Sequence, residues 1–432
     1  MLYDNLSVNV AGHLTFAGKD TVTLSEKYST PAFIMDEAKI RERCRIYKSA
    51  LSENMGEGSY PLFAGKALCF KALYHIMREE GMGIDVVSPG EIFTAHSAGF
   101  PMEKAFFHGN NKTARDISFA MECGVGYFVC DNGFELMNIA GAAKERGIRQ
   151  KILLRIAPGI DPHTHAKIST GSVDSKFGAA IVTGQAMELS KLAANLENIE
   201  LCGFHCHIGS QIFESEPFIT AAKIMTEFSA DVKRETGFEA RILNIGGGMG
   251  VRYTEKDPGI DYAENIKAIA ETVKSEAGRL NIKTPALLME PGRSIVADAG
   301  ITLYTAGGIK EIEGIRNYVS VDGGMTDNPR YTLYSAEYTL INASRASDKA
   351  DYVCTLAGRC CESGDLIGEN MSVAKPRYGD ILAVLTTGAY NYSMASNYNA
   401  IPKPPVILIG ENGEETVAVE RESFEHMIEN QR

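Results

Sequence analysis

Tryptophan is absent from the 432 residues, which leaves Phe, Tyr and His as the only ring side chains. A surplus of positive charge is also missing. Lys and Arg total 43 against 55 Asp and Glu, for a formal net charge of -12. That balance argues against general binding to nucleic acid or to anionic membranes, while leaving room for a local basic pocket. No run approaches the roughly 18 uncharged apolar residues of a membrane span, and MLYDNLSVNV at the N-terminus has no basic stretch followed by an apolar core. The cytoplasm is therefore the expected compartment, and a small metabolite the expected partner. HExxH and paired CxxC motifs are missing, so no clear metal signature stands out and none is assigned. Fixed-period repeats and low-complexity tracts are missing too. Nine cysteines, an odd number scattered from Cys44 to Cys361, make no disulfide scaffold, and most are read as reduced thiols.

What is present is length and a core. The chain is long enough for about two to four domains, and a 44% hydrophobic content supports a substantial interior. Its 42 glycines gather in short phrases at the ends of β-rich runs, where turns approach ligands. Eight such runs recur between residues 59 and 292: SYPLFAG, GIDVVS, AFFHG, YFVCD, ILLRIAP, LCGFHCHIG, RILNIGGG and PALLMEPG. Between them lie segments such as CFKALYHIMREE and FELMNIAGAAKERG, with apolar residues at three- and four-residue spacing, as a helix covering a sheet requires. Alternation of this kind predicts an α/β fold, a (β/α)8 TIM barrel over 36–291. A doubly wound open sheet is the other arrangement it allows. After residue 292 many short β-like runs separated by Gly, Pro and Asn turns predict a mostly antiparallel β domain. LTFAG, TVTL and PAFIMD assign residues 1–35 to the same domain, which thus combines 1–35 with 292–432. The longest irregular piece, 158–180, follows a barrel strand, where ligand-contacting loops emerge.

Several strand ends carry reactive side chains. Lys66, in LFAGKALCF, stands directly after the first strand and is a candidate for a carbonyl-trapping amine, the plain alternative being a lysine snorkelling from a helix start. Gly246, Gly247 and Gly248 follow the seventh strand, where bare backbone can bring N–H groups to a phosphate or simply make a tight turn. Glu290 and Arg293 leave the eighth: the carboxylate can pair with a protonated ring nitrogen and the guanidinium can fork onto phosphate or carboxylate, or the two can form an ion pair. His205 and His207 end the sixth strand on one side, which raises a metal reading. An imidazole packed on a cofactor ring, with Ser210 reaching a phosphate, fits the neighbouring strand ends better. In the tail, Cys361 and Glu362 in CCESGD offer a thiol acid and a carboxylate. Arg330, Tyr334 and Tyr390 offer an anion fork and phenolic donors, or ordinary loop and interface residues.

In this order the motifs TPAFIMD, FAGKA, GIDVVSPGE, KFG, FHCHIGSQ, IGGG, EPGR, VDGGMTDNPR, CCESGD, GAY and SNYN closely resemble the fold-type III pyridoxal-phosphate decarboxylases over nearly the whole chain. NPR and CCESGD favour the member acting on meso-2,6-diaminopimelate over those acting on ornithine or arginine. The resemblance implies pyridoxal 5'-phosphate linked to Lys66, with His207 on its ring and Glu290 at its ring nitrogen. Ser210, Gly246 to Gly248, Arg293 and Tyr390 would surround its phosphate. It also implies a head-to-tail homodimer with shared active sites, in which Cys361 and Glu362 enter the partner subunit's barrel. Cys361 would protonate the decarboxylated carbon to yield L-lysine. Arg293, Arg330 and Tyr334 would hold the substrate's distal carboxylate and Glu362 its distal ammonium, with Tyr390 also among the substrate-binding residues. Two departures stand out, Ala157 where a polar residue is common and Tyr331 where proline often follows the arginine. Related barrels include amino-acid racemases and small cofactor-binding proteins, neither of which accounts for CCESGD.

Overall fold

The computed structural model describes residues 1–160 and 175–432. Residues 161–174, the larger part of the irregular 158–180 stretch, lie outside the described residues. The chain forms two compact units, one made of Arg43–Gly250 and Ile260–Gly292, the other of Met1–Glu42, Val251–Gly259 and Arg293–Arg432.

The first unit contains eight parallel strands, which we number β1 (Leu62–Ala64), β2 (Gly83–Val86), β3 (Ala105–Phe107), β4 (Tyr127–Cys130), β5 (Gln150–Ala157), β6 (Ile199–His205), β7 (Ile242–Asn244) and β8 (Ala286–Leu288). Each pairs with its neighbour in chain order. Their near-continuous apolar character follows from burial on both faces, since side chains pointing in meet the barrel interior and those pointing out meet helices. The ends of the sheet meet through a parallel bridge between Pro61 and Met289. There the Leu62 N–H donates to the Met289 carbonyl at 2.8 Å and the Ala64 N–H to that of Pro291 at 3.1 Å. The result is a nearly closed barrel, not the open doubly wound sheet. Leu62, Phe106, Val129, Leu153, Cys202 and Leu288 form one buried cluster drawn from six strands. Helices return between strands with side-chain caps at their starts: Ser88 accepts from the Glu91 N–H at 3.2 Å, and Thr113 forms a capping box with Asp116.

The second unit is built on a mostly antiparallel nine-stranded sheet. Its long strand Gly300–Ile312 pairs antiparallel with Arg316–Val321, Ile381–Val384 and Ala32–Asp36. Two pairings are parallel, Arg316–Val321 with Tyr352–Ala357 and Ala32–Asp36 with Val406–Ile409. Leu14, Phe16, Ile34, Leu303, Ala383 and Ile407 are among the residues of its core. All nine cysteines are free thiols.

Two glycines of the barrel unit separate backbone crowding from helix propensity. A Cβ on Gly203, at the irregularity in β6, would lie 1.8 Å from the Ile242 carbonyl oxygen, whereas one on Gly141 would meet nothing within 4 Å. Gly203→Ala is expected to cost about 2–4 kcal/mol, and Gly141→Ala, inside the helix Gly133–Glu145, to add about 0.5–1 kcal/mol. Denaturant midpoints at unchanged slope check both signs.

Candidate active site

The reactive residues of the barrel unit collect at the carboxyl ends of its strands, the end where barrel loops build sites. Lys66 is exposed on a single 3-10 turn, Gly65–Ala67, directly after β1. Gly65 keeps that turn close to its surroundings, since a Cβ there would lie 2.8 Å from the Tyr74 hydroxyl and 3.2 Å from Glu91 Oε2. Asp85 lies in β2, His108 follows β3, Arg155 lies in β5 and His205 ends β6. Gly246 to Gly248 follow β7, and Glu290 follows β8.

Glu290 is the electrostatic centre of this group. It is 7% exposed, and its carboxylate meets three nitrogen groups. The Asn244 amide donates to Oε1 at 2.7 Å, His108 Nε2 lies 2.9 Å from Oε1, and His205 Nε2 lies 3.1 Å from Oε2. Burial alone would push the carboxyl up; His108 and then His205 outweigh it and hold Glu290 well below the usual carboxylate range. His205, fully buried, is itself pushed down to about 4, chiefly by loss of hydration. Asp85 behaves oppositely: burial raises it, with the Glu290 charge adding to that rise against the pull of His108. Of the two carboxyl groups, Glu290 is thus the one whose ionised form its neighbours favour. His207 is pushed well below the ordinary imidazole value by burial and then by the charges of Lys66 and Arg155, so it presents a neutral ring.

The glycine run packs where no side chain fits. Gly246 and Gly248 adopt φ of 73° and 115°. A Cβ on Gly247 would lie 2.0 Å from the Glu290 carbonyl oxygen, and one on Gly246 would lie 2.9 Å from His207 Nδ1. Backbone N–H groups can thus face a ligand without intervening side chains. Ser210 follows Gly209, at φ 154°, in the same loop region.

The second unit carries a separate cationic group. Arg293 begins the short helix Arg293–Val296 and donates from Nη1 to the Tyr253 hydroxyl at 2.6 Å. Arg330 donates from Nη1 to the same hydroxyl at 3.1 Å and to that of Tyr338 at 2.9 Å. The guanidinium carbons of Arg293 and Arg330 lie 4.8 and 5.8 Å from the Tyr390 ring centroid. Tyr334, half-buried, ends the helix Arg330–Tyr334. Cys361 and Glu362 occupy an exposed loop in which the Cys361 N–H donates to Asn399 Oδ1 at 2.7 Å. Cys360 differs from its neighbour: it is half-buried, and burial followed by Asp365 pushes its thiol up to about 12.

The sequence profile described as "Pyridoxal-dependent decarboxylase, pyridoxal binding domain" matches residues 37–297. A diaminopimelate decarboxylase from Bacillus methanolicus is 45% identical over 414 residues, 96% of this chain and 95% of its own length. The Bacillus subtilis protein of the same name is 44% identical over 97% of this chain and 95% of its own. The crystal structure of diaminopimelate decarboxylase from M. jannaschii superposes with a TM-score of 0.92 at 35% identity, covering 99% of this chain and 98% of that one. The chain belongs to the diaminopimelate decarboxylase family.

The cofactor of this family is pyridoxal 5'-phosphate, and the barrel residues fit it. An exposed amine on Lys66, a buried ionised carboxylate on Glu290, a neutral imidazole on His207 and a glycine turn free of Cβ atoms together suit an aldehyde, a protonated ring nitrogen, an aromatic face and a phosphate. Of the residues singled out from the sequence, Lys66, His207, Ser210, Gly246 to Gly248 and Glu290 share the barrel unit. Arg293, Arg330 and Tyr390 gather in the second unit, while Cys361 and Glu362 sit on its exposed loop. The metal reading of His205 with His207 changes partners: among the described residues, the group whose ligand atoms could hold an ion is His108, His205 and Glu290. Sequence reasoning in this decarboxylase missed His108, Asn244, Tyr253 and Tyr338. The strand-end position of His108 in AFFHG was the one available signal.

Removing the shared acceptor at Glu290 would strand buried donors. Glu290→Leu is expected to cost about 3–5 kcal/mol, read as a fall in denaturant midpoint. A cost below about 1 kcal/mol would show that the carboxylate does not hold this cluster together.

Proposed function

We infer that this chain is a pyridoxal-phosphate-dependent carboxy-lyase that removes carbon dioxide from the D centre of meso-2,6-diaminopimelate and yields L-lysine, the final step of lysine biosynthesis. The observation that carries this reading is the end-to-end likeness to diaminopimelate decarboxylases, over 96% of this chain in the Bacillus methanolicus protein. Supporting it, a structure of the M. jannaschii enzyme in co-complex with L-lysine is 34% identical and matches 99% of this chain with a TM-score of 0.91.

Bound pyridoxal phosphate supplies the sink for the electron pair left by the broken carbon–carbon bond. The chain's own part is positioning, charge and protons. Lys66 offers the amine that carries the cofactor. Glu290, kept ionised by its imidazole neighbours, holds a proton on the ring nitrogen. His207 would offer its neutral ring to the cofactor, and Ser210, Gly246 to Gly248, Arg293 and Tyr390 would hold its phosphate. Arg293, Arg330 and Tyr334 bind the substrate's distal carboxylate, Tyr390 also contacts the substrate, and Glu362 binds the distal ammonium. An arginine left without its carboxylate penalises a substrate that lacks one, which sets the preference over simple diamine acids. Cys361 delivers the proton to the carbon that has lost carbon dioxide.

In this reading 36–291 is the cofactor domain and 1–35 with 292–432 the β domain that serves the dimer and the site, except that residues 36–42 and 251–259 pack with the β domain and Gly292 with the barrel. The assembly is a homodimer with shared sites, Cys361 and Glu362 acting in the partner subunit's barrel. The compartment is the cytoplasm; among the described residues no helix is long and apolar enough to cross a membrane.

Product analysis with pyridoxal phosphate and meso-diaminopimelate, ornithine or arginine is expected to give carbon dioxide and L-lysine from the first alone. Putrescine from ornithine, with no lysine from diaminopimelate, would overturn the substrate. Lys66→Ala should lose the borohydride-reducible cofactor linkage. Mixed dimers of inactive Lys66→Ala and Cys361→Ala subunits should regain part of the activity, and verified heterodimers that stay inactive would remove the shared site.

A further inference from the structure

Tyr253 lies in the short segment Val251–Gly259, which packs within the second unit although barrel sequence flanks it on both sides. The residue is 5% exposed. Its hydroxyl oxygen accepts from Arg293 Nη1 at 2.6 Å and from Arg330 Nη1 at 3.1 Å. Both guanidinium carbons also lie near its ring, 5.7 and 5.3 Å from the centroid. Two charged donors occupy the two acceptor directions of one phenol, and among the described residues the hydroxyl meets no acceptor for its own proton. Tyr338 completes the group: its hydroxyl accepts from Arg330 and donates to Asn391 Oδ1 at 3.2 Å.

Two guanidiniums converging on one point repel each other unless an electron-rich atom lies between them. The Tyr253 oxygen fills that role, with the charge-assisted geometry that a carboxylate oxygen would otherwise provide. We propose that Tyr253 is a positioning and specificity residue of the distal-carboxylate site, joining Arg293 and Arg330 into a single receptor and yielding its share of their charge when an amino-acid carboxylate arrives. The inference rests on the reading that these two arginines bind that carboxylate.

A linkage follows from the same contacts. Burial pushes the Tyr253 phenol up, but Arg293 and then Arg330 outweigh burial and bring it below the ordinary phenol range. Within this unit the titratable and charged groups facing it are Arg293, Arg330 and Tyr338. Tyr390 lies against the two guanidiniums, and Asp257 accepts from the Tyr253 backbone N–H at 2.8 Å. A bound carboxylate competes with the phenolate for the same cations, so binding favours the protonated phenol. Affinity for a carboxylate ligand therefore falls as pH rises through the Tyr253 ionisation, and binding above that point takes up a proton.

L-Lysine, which keeps the distal carboxylate, and cadaverine, which has none, separate the effects in the holoenzyme. With no tryptophan among 432 residues, the ultraviolet band of tyrosinate is free of indole absorbance. In the wild-type protein one tyrosine should ionise below the rest, shift upward on adding L-lysine, and stay put on adding cadaverine. Tyr253→Phe, which keeps the ring, should remove that early ionisation, weaken L-lysine about tenfold with cadaverine unchanged, and raise KM for diaminopimelate more than it lowers kcat. A wild-type titration with no lysine-sensitive tyrosine, or a Tyr253→Phe protein that binds L-lysine as tightly as wild type, would overturn the proposal. Arg330→Gln distinguishes the two levels. If it too leaves L-lysine binding unchanged, the carboxylate clamp itself is wrong; if it abolishes the preference over cadaverine while Tyr253→Phe does not, only the role of Tyr253 fails.

Discussion

The barrel depends on the hydrogen bonds that join its first strand to its last. Leu62 and Ala64 donate to the carbonyls of Met289 and Pro291, and this pairing brings the chain after β1 beside the chain after β8. Lys66 and Glu290, more than two hundred residues apart in sequence, thereby leave adjacent strands at the same end of the barrel. A helix-covered open sheet would put them at opposite edges. Closure therefore has a chemical consequence as well as an architectural one, because side chains from the first and last strands can face one small molecule only where those strands meet.

Electrostatics at that end follows from burial with selective compensation. Two carboxyl groups, Asp85 and Glu290, are buried close enough to repel, and two bare negative charges there would be costly. Asn244, His108 and His205 converge on Glu290 and keep it ionised, while Asp85 is pushed up by burial and by the charge that Glu290 retains. One carboxylate so held suits a ring nitrogen that must stay protonated. The same logic recurs with opposite sign in the second unit, where two buried guanidiniums share the oxygen of Tyr253. In each place a buried charge is tolerated because several neighbours have been arranged around one atom.

Much of this arrangement is legible in the sequence. Each of the eight barrel strands overlaps one of the eight β-rich runs, with two starting earlier than their runs, at Gln150 and Ile199, since each is a short apolar segment bounded by turn residues and the spacing leaves room for a helix between them. Strand ends carrying Lys66, His207, the glycine triplet and Glu290 stood out for a similar reason: polar or side-chain-free residues at the end of an apolar run have few structural explanations. Tyr253 did not stand out. MGVRYTEK has no periodicity that separates a buried tyrosine from an exposed one, and its partners lie 40 and 77 residues away. Asn244 is equally silent, a single amide inside LNIGGG whose acceptor is 46 residues downstream.

By itself the sequence determined the class of fold and the protein family and pointed to candidate site residues, because those are written in local period, in strand-end composition and in short ordered motifs. Only the tertiary structure decided which charges are shared. It set His108 with His205 on Glu290 in place of a pairing between His205 and His207, separated the Cys360 thiol from Cys361 by burial, and drew Val251–Gly259 out of the barrel unit to lay Tyr253 between two arginines. The physical reason is common to all three. Hydration and Coulomb energy depend on distance in space, and neighbours along the chain report that distance only within a helix turn, a strand or a tight loop.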